Sequence, residues 1–238
     1  MVVPRVLNNS QLEIATRTCC IVPIYNESTV ISDCLSNLRT FFPNILVVDD
    51  GSTDDSAIKA KETGAEVIRH TLNIGQGAAI ATGILWAQNQ NKFRNIVTFD
   101  GDGQHRAEDA LRLVEELEHN NLDIVFGSRF LGHNKSNTPK LKRITLKAVA
   151  RITKILTGVS LSDAHNGLRA LTLEASKLVT ITQSGMAHAS QIINLTRQAN
   201  LKYHEVSVTV LYTSYSRKKG QSIFNSVNII IDLIWGES

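Results

Sequence analysis

The sequence has few cysteines, little net charge and no long apolar run, and each shortage argues against a class of protein. Its three cysteines, Cys19, Cys20 and Cys34, match neither a disulfide framework nor a zinc-binding pattern. Cys19 and Cys20 are adjacent in an apolar stretch, which favours small buried side chains. A net charge of +3 gives no indication of a nucleic-acid partner, and none is expected.

Secretion and membrane spanning are not indicated either. The longest strongly apolar stretch, near the C-terminus, is far shorter than the ~20 residues that cross a bilayer. The N-terminal residues are polar and acidic where a signal peptide needs an apolar core. The cytoplasm is therefore the expected compartment, and 238 residues are enough for one large domain.

Short β-branched runs alternate with helical patterns along the first half of the chain. The strand candidates are "CCIVPIYN", "NILVVDD", "AEVIRH", "NIVTFD" and "LDIVFGSR". Strands this apolar predict an α/β fold with a mainly parallel sheet flanked by helices. In such sheets ligands bind beyond the carboxyl ends of the strands, where "YNE", "DDGSTDD", "NIGQG" and "DGDGQH" all fall. These four loops therefore predict one shared site.

The second half is less regular. A basic helix is expected from near Pro139, with its apolar side formed by Leu141, Ile144, Val149, Ile152 and Ile155. The segment "SLSDAHNGLRAL" is turn-rich, and a helix at about 187–199 and a strand "YHEVSVTVLY" follow it. A last amphipathic segment carries the apolar residues Ile223, Phe224, Val227, Ile230, Ile231, Ile234 and Trp235.

The stretch "VTFDGDGQH" places Asp100 and Asp102 on either side of a glycine, directly after a strand. Two carboxylates, with Gln104 adding a neutral oxygen, are the hard ligands that Mg²⁺ or Mn²⁺ prefers. A cation held there could bridge nucleotide phosphates and stabilise a departing diphosphate. The alternative is a solvated acidic turn, because Asp and Gly are common in turns.

Other Asp- and Gly-rich motifs fit less well. An EF-hand loop starting at Asp100 would need Gly and Glu where His105 and Leu111 stand. A haloacid-dehalogenase-type phosphatase usually has Thr or Val at the position of Gln104, and its later acidic motif is missing from the expected place. "NIGQGAAIATG" departs from a dinucleotide fingerprint at Ile80, so its glycines indicate close ligand approach or tight helix packing.

The first two loops offer groups that suit a nucleoside. Asp50 could accept a hydrogen bond from a base N–H, which favours uracil or guanine. Tyr25 offers a stacking face, and Glu27 an acceptor for hydroxyl groups. The stretch 52–54 also has the residues of an ordinary helix N-cap, so a structural turn remains an alternative.

Together these stretches resemble the GT-A-fold family 2 glycosyltransferases, particularly the dolichyl-phosphate mannose synthase-like branch. The resemblance is carried, in family order, by "VPIYNE", "VVDDGSTDDS", "NIGQGAAIATG", "DGDGQH", "FGSRF", "DAHNGLRA" and "YSRKKGQS". It implies a metal-dependent, inverting transfer of a hexose from a GDP- or UDP-sugar to a polyprenyl phosphate. It also implies one domain over 1–238, with a Rossmann-like nucleotide-sugar half at about 17–130 and an acceptor half at about 131–238.

The resemblance further implies a role for individual residues. The nucleotide sugar would be bound by Pro23, Tyr25, Asn26, Glu27, Asp50, Ser52, Gly77, Asp100, Lys219 and Ser222. The metal, Mg²⁺ or Mn²⁺, would be held by Asp100, Asp102 and Gln104. The acceptor would be bound by Ser128, Arg129, Arg143, Asp163 and Asn166. The residues acting in catalysis would be Asp100, Asp102, Arg129 and Arg217.

Two departures from the family pattern bear on the acceptor. Many members that use a sugar acceptor carry a catalytic carboxylate where Gln191 stands, although Asp163 and His188 remain candidate bases. A phosphate acceptor is already an anion and needs no general base, so Gln191 favours a lipid phosphate. The second departure is Lys147, which stands where a small polar residue is expected in the family's phosphate-binding helix. The alternatives are a saccharide acceptor in polysaccharide or glycolipid assembly, and a non-catalytic nucleotide-sugar-binding protein.

A basic stretch suggests where such an enzyme would act. Seven Lys or Arg residues and no acidic residue lie between Lys135 and Lys154. An amphipathic basic helix of this kind is expected to lie on an anionic membrane surface, unless it is only a solvated charged face. The last amphipathic segment would be a second interfacial helix, or would pack against the core or a second subunit. Peripheral attachment to the cytoplasmic membrane face is the resulting expectation.

Overall fold

The computed structural model describes residues 7–131, 140–185 and 187–212. The strands in these ranges are β1 (Thr18–Ile24), β2 (Ile45–Asp49), β3 (Glu66–Arg69), β4 (Asn95–Thr98), β5 (Ile124–Ser128), β6 (Arg169–Thr172) and β7 (Tyr203–Ser207). The helices are α1 (Asn9–Thr16), α2 (Ile31–Arg39), α3 (Ser56–Glu62), α4 (Gln76–Gln88), α5 (Ala107–His119), α6 (Lys140–Thr157), α7 (Leu173–Leu178) and α8 (His188–Gln198). The strands form one sheet in the order β3-β2-β1-β4-β6-β5-β7.

Most of the sheet is parallel, as the alternating pattern predicts. Strands β3, β2, β1 and β4 run in one direction, and β7 is parallel to β5. Every residue of β1, β2, β4 and β5 is buried, which explains their continuous apolar sequences. The expected α/β fold with a mainly parallel sheet is therefore confirmed, and the loops after β1 to β4 share one edge.

Helices cover both faces of the sheet. Alternate residues of β1 contribute to different cores, because successive side chains of a strand point to opposite faces. Cys20 and Val22 belong to the core that includes residues of α1, α2 and α5, whereas Cys19 and Ile21 belong to the core with α4 and α8. All three cysteines are free and buried, as expected for Cys19 and Cys20.

Strand β6 differs from the sequence prediction, which treated its surroundings as turn-rich. It lies between β4 and β5 and is antiparallel to both, with Arg169 opposite Thr98 and Phe126. The strand has four residues and begins with a buried arginine, so it shows neither alternation nor a long apolar run. Its direction brings the preceding segment, 163–168, to the carboxyl end of β4.

Helix α6 confirms the predicted basic helix, but part of its expected apolar side is wrong. Its buried positions include Leu146, Ala150 and Thr153, spaced as one helix face that packs toward α8. Ile144 and Ile155 are 66% and 82% exposed, because contact with α8 and not apolar character decides which face is inside. Within the described ranges, no helix combines the length and apolar character needed to cross a membrane.

Candidate active site

The loops after β1 and β2 are joined by hydrogen bonds into one unit. The Asn26 N–H donates to Ser52 Oγ at 2.9 Å, and the Thr53 N–H donates to Asn26 Oδ1 at 2.9 Å. The Glu27 N–H donates to Ser56 Oγ at 2.7 Å. Asn26 has a φ of 53°, a left-handed conformation that Asn tolerates better than most residues. Five of the predicted nucleotide-sugar-binding residues lie in this unit or the strand ends beside it: Pro23, Tyr25, Asn26, Glu27 and Ser52.

The adjacent carboxylates at the end of β2 have different surroundings. Asp49 is fully buried, accepts a hydrogen bond from the Ser52 N–H at 3.1 Å and lies 3.0 Å from Arg69 Nε. Asp50 instead connects the second loop to the third. It accepts hydrogen bonds from the backbone N–H of Ile74 at 3.0 Å and of Gly75 at 2.6 Å, and lies 2.8 Å from His70 Nδ1. Of the two, Asp50 is therefore the one placed among the loops of the expected site.

Asp100 is surrounded by residues from three separate parts of the chain. Gln76 Nε2 donates to its Oδ1 at 2.8 Å, and His105 Nε2 lies 3.0 Å from its Oδ2. Gly167 approaches it so closely that a Cβ built there would lie 2.5 Å from Oδ1. Burial raises the pKa of Asp100, but the hydrogen bond and charge of His105, with Arg169, outweigh it and hold the pKa below its ordinary value.

Asp102 lies in the opposite electrostatic situation. Its Oδ1 accepts a hydrogen bond from the Gln104 N–H at 3.0 Å, and its Oδ2 contacts the Gln104 side-chain amide. Burial and the negative charge of Asp100 raise the pKa of Asp102 to about 6. Two carboxylates that repel each other beside an amide group are a suitable place for a cation.

The donor set at this loop fits a hard divalent cation shared with a ligand. Asp100, Asp102 and Gln104 offer only oxygen ligands, and Mg²⁺ is commonly held by one or two carboxylates together with substrate phosphates. In the described parts of the chain, no group of three or more His, Cys, Asp or Glu side chains could hold a metal by itself. The pair therefore suits a cation whose remaining ligands come from a diphosphate and water.

Arg129 follows β5 and is held by the segment before β6. Its Nε lies 2.5 Å from Asp163 Oδ2, its Nη1 donates to Tyr212 Oη at 3.3 Å and its Nη2 donates to the His165 carbonyl at 3.2 Å. Burial opposes the charge, but Asp163 and Tyr212 raise the pKa of Arg129 above its ordinary value. Among the described residues, these contacts use three of its five N–H groups, which leaves two for a ligand.

The other predicted acceptor residues of this segment have structural partners. Ser128 Oγ lies 2.6 Å from Ser162 Oγ, and the Leu168 N–H donates to Asn166 Oδ1 at 3.0 Å. Asn166 Nδ2 lies at the limit of hydrogen bonding to Asp163, 3.5 Å from Oδ2. Asp163 and Asn166 are both buried. These three predicted residues, Ser128, Asp163 and Asn166, therefore have polar partners within the protein beside Arg129.

Three cations meet around the ring of Phe130. The Arg129 and Arg143 guanidinium carbons lie 5.8 and 5.9 Å from the ring centroid, and Lys147 Nζ lies 5.9 Å from it. Asp163 pairs with Arg129. Considering only the described residues, Arg143 and Lys147 have no carboxylate within salt-bridge distance. Like charges held this close favour an anion among them.

Two further predictions concern glycine and glutamine residues of α4 and α8. The Gly77 N–H donates to the Ser184 carbonyl at 2.7 Å, and a Cβ on Gly77 would collide with the Gln183 carbonyl. Of the two roles considered for these glycines, the structure uses Gly77 for tight packing. Gln191 Oε1 accepts from the N–H groups of Thr182 and Gln183 at 2.9 and 3.0 Å. Gln191 thus holds a loop and is not turned toward Asp100.

Four residues of the site were missed by sequence reasoning: Gln76, His105, Gly167 and Arg169. Each contacts Asp100 or influences its charge. All four lie inside the motifs "NIGQG", "DGDGQH" and "DAHNGLRA", which was the available signal. Arg217, Lys219 and Ser222, together with the last amphipathic segment, lie outside the described residues, so their predicted roles stay predictions.

The comparisons with known proteins agree with this geometry. The family model described as glycosyl transferase family 2 matches residues 19–177, which include all four loops, Arg129 and Arg169. The chain belongs to glycosyl transferase family 2. It is therefore a transferase, and the resemblance inferred from its motifs is confirmed.

Relatives and a solved structure extend this result. A UDP-N-acetylglucosamine–dolichyl-phosphate N-acetylglucosaminyltransferase of Methanococcus voltae is 28% identical over 90% of this chain and 93% of its own length. An undecaprenyl-phosphate mannosyltransferase of Micrococcus luteus is 31% identical over 87% of this chain and 86% of its own. Glucosyl-3-phosphoglycerate synthase of Mycobacterium tuberculosis, crystallised with Mn²⁺ and UDP-glucose, superimposes with a TM-score of 0.71 at 17% identity, over 97% and 82% of the chains. That likeness confirms the GT-A fold.

Proposed function

We propose that this family 2 glycosyltransferase transfers a hexose from a UDP- or GDP-sugar to a polyprenyl phosphate, with inversion at the anomeric carbon. The observation that carries the proposal is the meeting of Arg129, Arg143 and Lys147 around Phe130. Three cations suit a phosphate monoester better than a neutral saccharide. The names of the two relatives, both transferases that act on polyprenyl-type phosphates, support the same acceptor class.

In this proposal the chain is one domain, with the donor half at about 17–130 and the acceptor half at about 131–238. Tyr25, Glu27 and Asp50 receive the nucleoside, beside the joined loops. The segment 163–169 would lie between the donor diphosphate and the acceptor phosphate. Its Asp163 pairs with Arg129 on the acceptor side, and its Gly167 lies against Asp100 on the donor side.

Asp100, Asp102 and Gln104 would hold Mg²⁺ or Mn²⁺, which supplies charge neutralisation to the donor diphosphate. Asp100 is kept ionised by its neighbours, whereas Asp102 becomes fully ionised more easily when positive charge is near. Gln76 and His105 hold Asp100 in place, and the Gln104 N–H holds Asp102, before the donor binds. The solved structure with Mn²⁺ and UDP-glucose supports divalent metal use in this fold.

The chemistry that follows is a single displacement. An oxygen of the acceptor phosphate forms a bond to the anomeric carbon, and the bond from that carbon to the diphosphate oxygen breaks. The electron pair leaves with the nucleoside diphosphate, and the configuration at the carbon is inverted. A phosphate oxygen is anionic near neutral pH, so no side chain has to remove a proton, which agrees with the structural use of Gln191.

A lipid acceptor places the enzyme at the cytoplasmic membrane face. Helix α6 exposes a face on which cations alternate with apolar side chains, formed by Arg143, Ile144, Lys147, Arg151, Lys154 and Ile155. Such a face suits the headgroup region of an anionic bilayer, with lysine and arginine at the phosphates and isoleucine below them. Peripheral attachment through this face brings the cations around Phe130 close to a membrane-bound phosphate.

The proposal is tested by incubating the enzyme with polyprenyl phosphate, Mn²⁺ and a panel of UDP- and GDP-hexoses. We expect a glycolipid of inverted anomeric configuration and one equivalent of nucleoside diphosphate. Lys147→Ala and Arg143→Ala should each raise the KM for polyprenyl phosphate about 10- to 100-fold, with the donor KM unchanged, because each removes a charged partner of the phosphate.

Lys154→Ala is the matched control, since it removes the same charge from the same helix away from Phe130. If all three variants raise the acceptor KM equally, these cations act only through the membrane surface and the phosphate site is wrong. If free saccharides are glycosylated and polyprenyl phosphate is not, the proposed acceptor class is refuted.

A further inference from the structure

Asp50 has a hydrogen-bonding pattern that restricts which base it can bind. A carboxylate offers about four acceptor positions, two on each oxygen. His70 Nδ1 and the Ile74 N–H occupy both positions of Oδ1, at 2.8 and 3.0 Å. The Gly75 N–H occupies one position of Oδ2 at 2.6 Å. As far as the described residues go, one acceptor position, on Oδ2, is therefore left for a ligand.

The partners of Asp50 are fixed by the fold and will not move aside easily. Ile74 and Gly75 donate from the backbone directly before α4, and the Gly75 position packs against the Ser184 carbonyl so tightly that no Cβ would fit. His70 is held at its other nitrogen, where Nε2 lies 3.0 Å from Thr82 Oγ1. Its ring is largely buried, with the side chain 11% exposed.

The position of Asp50 matches that of a base-reading group. Its own N–H donates to the Ile24 carbonyl at 2.9 Å, which places it beside Tyr25 at the carboxyl ends of β1 and β2. Tyr25 is 41% exposed and provides an aromatic surface at that edge. A base stacked there would present its polar edge toward the loops that Asp50 connects.

Uracil and guanine differ in what they present to a carboxylate. Guanine offers two donors side by side, N1–H and one N–H of the 2-amino group, which pair with both oxygens of a carboxylate. Uracil offers one donor, N3–H, between two carbonyl groups. With Oδ1 saturated, Asp50 can satisfy the single donor of uracil, but it would leave one of the two guanine donors without a partner.

We infer that the donor nucleotide is a uridine diphosphate sugar, selected against guanosine by the single acceptor position that Asp50 keeps. The inference rests on the proposed function, since it assigns the base of the donor that this function requires. A buried donor without a partner costs enough to weaken binding by about 10- to 100-fold. Cytosine is disfavoured too, because its N3 is an acceptor and would face the carboxylate.

The test measures nucleotide affinity by calorimetry with Mg²⁺ present, using UDP, GDP, 3-methyl-UDP and 5-methyl-UDP. UDP should bind about 10- to 100-fold more tightly than GDP. The N3-methyl analogue should lose at least as much, because it lacks the N3–H, while the 5-methyl analogue should bind like UDP. These comparisons use the unmodified enzyme, so misfolding of a variant does not affect them.

Variants then test the reason for the selectivity. His70→Phe frees one position on Oδ1 and should narrow the difference between UDP and GDP. Thr82→Val is the matched control, because it removes the partner of the far ring nitrogen and leaves His70 Nδ1 facing Asp50.

The results distinguish failure of the uracil inference from failure of the proposed transferase function. Equal or tighter GDP binding, or undiminished binding of 3-methyl-UDP, overturns the uracil inference and leaves the transferase function intact. An unchanged preference in His70→Phe overturns the argument from acceptor positions. If neither UDP nor GDP binds, the proposed donor chemistry fails and the uracil inference fails with it.

Discussion

Replacing Gly167 by alanine is expected to disable the proposed metal site while the fold survives. A Cβ at this position would lie 2.5 Å from Asp100 Oδ1 and closer still to Oδ2, where ordinary contact needs at least 3.4 Å. The backbone of Gly167 is held by Thr98, whose Oγ1 donates to its carbonyl at 2.7 Å. The Asp100 carboxylate is therefore the group that moves.

The magnitude follows from what Asp100 loses when it turns away. The carboxylate gives up the hydrogen bond from Gln76 at 2.8 Å and the contact with His105 at 3.0 Å. Hydrogen bonds to charged groups contribute roughly 1.5–3 kcal/mol, and about 1.4 kcal/mol corresponds to a factor of ten. Disturbing groups around a metal ligand typically weakens metal binding about 10- to 100-fold, which is the loss that we expect here.

The assay is a titration of activity with Mg²⁺ or Mn²⁺, combined with a thermal melt. Gly167→Ala should need about 10- to 100-fold more metal for half-maximal activity, while the melting temperature falls by only a few degrees. Gly185→Ala is the matched control, because its Cβ would meet no atom of the described residues within 4 Å. If the Gly167 variant keeps wild-type metal affinity, Asp100 is not a metal ligand positioned by this contact. If it melts as a generally unfolded protein, the glycine serves the fold and not the site.

Two further outcomes are expected. Asp102→Asn should abolish metal-dependent turnover, yet its melting temperature should stay equal or rise, because the variant removes a charge that burial and Asp100 disfavour; wild-type activity would contradict the assignment. Burial and Arg169 lower the pKa of His188 from 6.5 to about 4, so the unfolded chain binds this proton at a higher pH than the folded chain. Stability should therefore fall by up to about 3 kcal/mol as the pH drops from 6.5 to 4, and not change through this group above 6.5. In His188→Gln that part of the pH dependence of unfolding should disappear, and an unchanged pH profile would exclude His188 as its source.

Much of the fold followed from patterns that are local in the sequence. The apolar runs of β1, β2 and β4 are buried on both faces. Their continuous hydrophobicity was therefore enough to predict a parallel sheet. The loop that follows each strand could then be assigned to one edge by the geometry of parallel sheets. Strand β6 was not predicted, because a four-residue strand that begins with Arg169 shows no periodic pattern of apolar residues.

The site was harder to predict than the sheet, because its contacts are distant in sequence. Asp100 meets Gln76, 24 positions before it, and His105 only five positions after it. Gly167 lies next to Asp100 because β6 runs antiparallel to β4, and β6 is the strand that was not predicted from the sequence. Motif spacing could identify the pair of carboxylates, but which of them is held ionised depends on neighbours that only the folded chain brings together.

That asymmetry follows from His105, which lies against Asp100, and from a buried cation, Arg169, between the two halves of the site. Arg169 is 1% exposed, and burial lowers its pKa to about 10 although Asp100 and Asp163 oppose the shift, so it remains charged at neutral pH. Asp163 in turn pairs with Arg129, whose ring neighbour Phe130 is shared with Arg143 and Lys147. Charges thus alternate from the cations around Phe130 through Asp163 and Arg169 to Asp100. Because His105 and Arg169 lower the pKa of Asp100 while burial and Asp100 raise that of Asp102, a bound cation would promote ionisation mainly at Asp102, and an isolated acidic pair in the sequence gives no indication of that difference.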